Sequence, residues 1–408
     1  MKKFAVVAAM ATAFLGSTAY ATDLEVTHWW TSGGEAAAVA ELAKAFDASG
    51  DHWIDGAIAG GGGTARPIMI SRITGGDPMG ATQFNHGQQA LELVEAGLML
   101  DLTDVAEENN WKEVVFPPSL LDACTVDGRI YCAPVNIHSP EWLWLSNKAY
   151  EDAGIPVPTN WNEFVETAPQ LEAAGKIPLA LGNQPWQSNL AFGAISIAVA
   201  GLDVWKQVNV EKNMDVAAGP EYAAVFQAVA DARALAAKST VQDWNQATNL
   251  VITDEAGGQI MGDWAQGEFQ VAGEVAGEDY TCLPGLGLNA YLSTGGDAFY
   301  FPKLDDPEQE AAQKRLAALL VSPEVQVDFN LKKGSLPIRG DVDLSAANDC
   351  MKKGLELLAS GNILPSGDMV WSPDVTKQNE DLMVEFWKSD MSPEDAHAQW
   401  VANLKSGL

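Results

Sequence analysis

The chain has 408 residues, with 24 basic against 55 acidic side chains and a formal net charge of −31 at neutral pH. A surface this acidic repels nucleic-acid phosphates and anionic lipid, leaving little room for either as a partner and arguing against a polyanionic ligand. The length accommodates two compact domains with full cores.

The chain opens as an export signal: Lys2 and Lys3, an apolar run over 4–15, then Ala19-Tyr20-Ala21. Cleavage is expected after Ala21, so 1–21 reads as a signal peptide. The apolar run is too short for a bilayer about 30 Å thick, and no later stretch is apolar enough to span one. No cysteine stands at the cleavage site to take a lipid. The expected location is the periplasm, as a freely diffusing monomer.

Leu24, Val26 and His28 alternate with Glu25 and Thr27, which predicts a strand. After the turn at Gly33-Gly34, Val39, Leu42, Ala43 and Phe46 recur at helical spacing. Trp29 and Trp30 therefore fall at the carboxyl end of a strand and before a helix, where open α/β sheets place their ligands. Glycines 60–63 lack the Gly-Lys-Ser/Thr ending of a phosphate loop and read as a tight backbone passage. Helical pattern returns over 88–96, and Pro158-Thr159-Asn160-Trp161-Asn162-Glu163-Phe164 opens another helix. Short apolar strands alternating with helices, without repeats or a disordered linker, predict an α/β fold.

Cys124 and Cys132 flank Asp127-Gly128, a hairpin turn signal that would set the two thiols nearly opposite. An oxidising compartment favours pairing. A Cys124–Cys132 disulfide is expected, and by elimination Cys282–Cys350. A metal site has neither C-x-x-C spacing nor a histidine pair to support it, and no cofactor is expected.

Several stretches carry a resemblance across essentially the whole exported chain. They are Trp29-Trp30-Thr31-Ser32-Gly33-Gly34-Glu35, Asn183-Gln184-Pro185-Trp186, Asp243-Trp244-Asn245 and Met261-Gly262-Asp263-Trp264-Ala265. The chain resembles the extracellular solute-binding proteins of sugar-importing ABC transporters, and within them the glucose and mannose binding group. The resemblance implies a type II periplasmic-binding-protein fold, two discontinuous α/β lobes joined by a hinge with the ligand cleft between them. The expected division gives 22–134 with 285–332 to the N-terminal lobe and 135–284 with 333–408 to the C-terminal lobe. It also implies a non-enzymatic receptor that takes a monosaccharide, closes on it and docks on membrane permease subunits.

A pyranose presents C–H faces that favour an aromatic plane and hydroxyls that demand partners. Trp29 and Trp30, adjacent on an extended segment, point to opposite sides, so one can lie flat on a sugar ring while the other packs behind. The resemblance makes Glu35 a hydroxyl acceptor, although Ser32-Gly33-Gly34-Glu35 also fits a capping box. Asp297 and Lys333 match positions that accept from and donate to sugar hydroxyls, and Trp264 supplies a plane from the other lobe. In the expected order of events sugar meets Trp29, Trp30 and Glu35 first, then gains Trp264 and Lys333 on closure. Trp186, His138 and Trp142 are further candidates for the cleft wall, with His138 alternatively a hinge residue bonded to the backbone.

Departures from the glucose pattern bear on which sugar fits. Asn85 or His86 stands where the family has a lysine, Asp368 follows Pro365-Ser366-Gly367 where a histidine is expected, and Gly295 replaces an asparagine. The lost volume admits a larger sugar, such as a disaccharide, or another epimer. A secreted glycoside hydrolase would need a carboxyl pair about 5 to 10 Å apart; Glu35 and Asp297 are candidates, but a nearby lysine would keep Asp297 ionised. An iron receptor would need clustered tyrosines and histidines, which are scattered here. A peptide receptor usually needs a cleft arginine, for which Arg339 alone qualifies.

Overall fold

The computed structural model describes residues 21–365 and 367–408, the side chains of Gly367 and Asp368 excepted. The expected signal peptide, but for Ala21, and the side chain of Asp368 lie outside the described residues.

Strand β1 (Asp23–His28) turns Leu24, Val26 and His28 into the interior, as their alternation predicts. Helix α1 (Gly33–Ala48) starts at Ser32 and buries Val39, Leu42 and Phe46 along one stripe. β1 pairs in parallel with β2 (His52–Ala57) and β3 (Ala81–Asn85), with α1 and helix α2 (Gly62–Thr74) as the crossings. The sheet is completed by strands Asp297–Tyr300 and Cys132–Pro134, each antiparallel to its neighbour. Asp297 stands opposite Asn85 in that register. A strand borrowed from so far along the chain is what makes this lobe discontinuous.

The second sheet has four strands, in the order Tyr280–Pro284, Trp142–Ser146, Ala256–Met261 and Ile177–Ala180. Strand Ala256–Met261 is buried along its length and delivers Asp263 and Trp264 just past its end. Two apolar cores match the two sheets, one around Trp30, Phe84, Phe299 and Phe329, the other around Leu143, Phe164, Phe226 and Trp400. The molecule is thus two discontinuous α/β lobes of the type II periplasmic-binding fold, as expected.

The chain leaves the first core after Ile137, returns to it by Leu292, and passes to the second core once more between Leu358 and Trp371. Hinge bridges tie Ile137 to Leu336 and His138 to Gly295. Residues 333–358, expected in the C-terminal lobe, instead add Leu336, Ile338, Ala347, Met351 and Leu358 to the first core. The reason is steric: helix Pro323–Lys333 is seated on the first core by Val325 and Phe329, and the chain leaving it stays on that face. The final helices, Pro373–Lys388 and Pro393–Ser406, pack in the second core.

Both expected disulfides are present, Cys124–Cys132 and Cys282–Cys350. The first closes the Asp127-Gly128 hairpin, whose two central residues both have positive φ. The second ties helix Asp349–Ser360 to the second sheet although Met351 and Leu358 of that helix pack in the first core. Its sequence separation is 68 against 8 for the other, so it restricts the unfolded chain more. Replacing Cys282 and Cys350 by alanine is expected to cost about 4 kcal/mol and replacing Cys124 and Cys132 about 2 to 3 kcal/mol. Chemical denaturation of the two variants checks the order.

Candidate functional site

β1 delivers Trp29 and Trp30 to the rim of the first lobe, and the two indoles diverge. Trp30 is buried between Phe299 and Phe329 at ring distances of 5.8 and 5.2 Å. Trp29 is only partly buried, with the Arg66 guanidinium 5.7 Å from its ring. Trp30 is therefore chiefly a core residue packed behind, and of the two it is Trp29 that stays partly exposed.

Glu35 closes a capping box: Ser32 Oγ accepts from its backbone N–H, and its carboxylate accepts from the Thr31 and Ser32 N–H groups at 3.2 and 3.3 Å. The same carboxylate stands 3.5 Å from Lys333 Nζ. Lys333 is the last residue of helix Pro323–Lys333, is 1% exposed, and makes no hydrogen bond to the described residues. Its ammonium lies 5.9 Å from the Trp30 ring and 5.8 Å from that of Trp264 in the other lobe. Lys333 belongs with Glu35 to the first lobe, which corrects the expectation that closure supplies it.

Asp297 begins its strand fully enclosed. Gln83 and Asn85 from β3 donate to Oδ1 at 2.9 and 3.3 Å, while Asn136 and His138 from the hinge donate to Oδ2, Asn136 at 3.1 Å. The other nitrogen of His138 faces Asp263 of the second lobe at 3.3 Å, and the Ser139 N–H donates to Asp263 at 3.0 Å. One imidazole thus joins a carboxylate of each lobe through the hinge. Burial resists charge on His138, but Asp297 and Asp263 outweigh it and raise its pKa to about 9. Burial likewise opposes charge on Asp297, yet His138 and Lys333 hold it well below the usual carboxylate range. Asp263 goes up, because desolvation exceeds the help it receives from His138.

Trp264 meets His138 edge-on at 4.9 Å and lies 6.2 and 6.5 Å from Trp186 and Trp244. Trp186 and Gln184 approach the glycine loop of the first lobe at Gly61, so the aromatic wall reaches across the gap. Asn85 is tied to Asp297 and to Gln89. His86 is buried with both ring nitrogens unpaired among the described residues, and desolvation lowers its pKa to about 4, which leaves it neutral. Trp142 does not reach the cleft; it is buried and stacked on Trp144 at 5.7 Å. His138 is a hinge residue whose backbone N–H donates to the Gly295 carbonyl oxygen at 2.9 Å, while its ring is bonded to Asp297 and faces Asp263. Sequence reasoning missed Gln83, Asn136 and Asp263. The signals available were the i, i+2 spacing of Asn136 and His138 on an extended segment, and the position of Asp263 beside Trp264.

A two-lobed α/β receptor with a polar and aromatic seam between its sheets is the class that this fold and site define. The family described as bacterial extracellular solute-binding protein matches residues 30–327, and the chain belongs to it. Similar proteins include a "probable sugar-binding periplasmic protein" of Rhizobium meliloti, 36% identical over 89% of this chain and 87% of that one. A protein of the same description from Brucella suis is 33% identical over 94% and 92%. Among solved structures, a chitin oligosaccharide binding protein superposes with a TM-score of 0.75 at 19% identity, covering 95% of this chain and 99% of that one. The solute receptor AcbH, with an exclusive preference for β-D-galactopyranose, superposes with a TM-score of 0.75 at 18% identity, covering 94% and 98%. At such identities the structures establish the fold alone. The family consists of solute binders and is not enzymatic, and its members act in the periplasm or outside the cell.

His138 carries a pH prediction. A histidine whose pKa is raised from 6.5 to about 9 on folding stabilises the folded chain fully below about pH 6.5, and that contribution is lost as pH rises through 9. The melting temperature of the wild type is expected to fall between pH 7 and 9.5 more steeply than that of His138→Gln, by scanning calorimetry at each pH. Parallel curves would remove the charge from His138.

Proposed function

We propose that this chain is a periplasmic receptor that captures an uncharged monosaccharide, glucose, mannose or a related aldose, between its lobes and delivers it to an ABC import permease. The observation that carries the reading is Lys333: a buried ammonium paired with Glu35 at 3.5 Å, without a hydrogen bond among the described residues, and held between indoles of opposite lobes. Such a donor gains most from an acceptor that brings aromatic-compatible C–H faces with it, which is the chemistry of a pyranose. Neutrality of the ligand follows from the charge pairing, since Lys333 faces Glu35 and His138 faces both Asp297 and Asp263. A carboxylate or phosphate ligand would enter a space where every buried cation already has its anion. The names of the relatives, sugar-binding and periplasmic, support the same class.

Sugar hydroxyls would exchange for protein donors at Asp297 while Trp29 and Trp264 supply planes from opposite lobes. Ligand then shifts the lobes toward closure by its extra affinity for the closed state. A disaccharide is the second reading, favoured by the partly buried Trp29 and Trp186 on either side of the Gly61 loop, where an additional ring would stack.

Titration calorimetry against glucose, mannose, galactose, xylose, maltose and glucuronate tests this. At least one neutral sugar is expected to bind and glucuronate is not. Trp264→Ala and Asp297→Asn are each expected to weaken that sugar at least about tenfold, or 1.4 kcal/mol. Silence across the neutral panel, or full affinity in both variants, would refute the proposal.

A further inference from the structure

The lobes also meet closely beside the charged cluster, at the start of helix Ala265–Ala272 in the second lobe. Three glycines make the contact. A Cβ on Gly34 would fall 2.4 Å from the Gly267 carbonyl carbon, and one on Gly267 would fall 3.2 Å from Gly34 Cα and 3.0 Å from the Lys332 carbonyl oxygen. A Cβ on Gly334 would fall 2.6 Å from Cβ of Gln266. Backbone therefore lies against backbone, and the seam has no room for even a methyl group.

Two side chains of the second lobe fasten this seam to two helix ends of the first. Glu268 Oε1 accepts the Gly34 N–H at 2.7 Å, one of the free donors at the start of α1. Gln266, 2% exposed, donates through Nε2 to the Gly334 carbonyl oxygen at 2.7 Å, just past the end of helix Pro323–Lys333. The acid stands at the positive end of one helix dipole and the amide donor at the negative end of another, so both contacts have the favourable sign. Both helix ends lose these partners when the lobes part.

We propose that Glu268 and Gln266 form a closure latch, a pair of positioning residues that favours the closed arrangement before any ligand enters. The inference rests on the reading above that the lobes open and close around a ligand. The latch sits beside the site: α1 carries Glu35, helix Pro323–Lys333 ends at Lys333, and Trp264 immediately precedes the latch helix. Fastening these ends sets Trp264 opposite Lys333, so the latch stores part of the affinity as a population of closed chain.

Small-angle X-ray scattering of the unliganded full chain decides the matter. Glu268→Gln keeps the shape and removes the charge, Glu268→Asp keeps the charge and shortens the reach, and Gly34→Ala pries the seam apart. Each is expected to raise the radius of gyration above that of the wild type, while Gln270→Ala, exposed on the same helix, leaves it unchanged. The dissociation rate of whichever sugar binds is expected to rise at least about fivefold in the three latch variants. Scattering profiles of folded latch variants that superpose on the wild type would overturn the latch. Failure of every sugar to bind would sink the proposed ligand instead and leave the scattering comparison intact.

Discussion

The arrangement depends on one buried charge. His138 sits on a segment that passes between lobes, with Asp297 of the first lobe on one side and Asp263 of the second on the other. Two carboxylates buried this close would repel and desolvate each other unless a cation stood between them. The imidazolium meets that requirement, and it does so only while the lobes are together. On the proposed opening, Asp263 would leave a histidine that remains tied to Asp297. Hinge geometry and protonation are therefore one variable.

The same cluster explains how a site filled with charge can hold a neutral molecule. Asp297 accepts from four donors, Gln83, Asn85, Asn136 and His138. A sugar hydroxyl gains little by adding a fifth; it gains by replacing one, in a place where the displaced donor finds another partner. Asn85 has such an alternative in Gly296, whose carbonyl oxygen already accepts from it at 3.2 Å. Lys333 contrasts with this, since it has a counter-charge in Glu35 and no hydrogen bond among the described residues, so on the proposed function it would gain an acceptor at no exchange cost. On the proposed function, specificity would come from hydroxyl placement, because a misplaced group would leave one of these buried atoms without a partner.

What the sequence made legible was local. β1, the Trp29-Trp30 placement, the Ser32 cap and the Asp127-Gly128 hairpin each depend on residues a few positions apart, where periodicity and turn chemistry act directly. The Cys282–Cys350 bridge followed from counting alone. The division of labour between the indoles did not follow, because alternation sends Trp29 and Trp30 to opposite sides without saying which side is core. Phe299 and Phe329 decide that for Trp30, and both come from more than 250 residues downstream. The pairing of His138 with Asp263 was obscure for the same reason: the local signals, Asn136 two residues before His138 and Trp264 beside Asp263, do not say that hinge and second sheet bring the two together.

Lys333 shows how far a chain can mislead when lobes are cut by sequence position. The cut expected after residue 332 assigned it to the moving half, yet its helix is anchored by Val325 and Phe329 in the first core. With Lys333 and Glu35 on one lobe, their ion pair survives opening, and the ammonium is never stranded without a counter-charge. On the proposed closure, Trp264 would be added over a cation that is already in place. The second lobe brings surface and exclusion of water, and a hydrogen bond from Lys333 to a ligand strengthens as water leaves. On the proposed closure, this order of assembly would make the first lobe the point of capture and give the second lobe the work of retention.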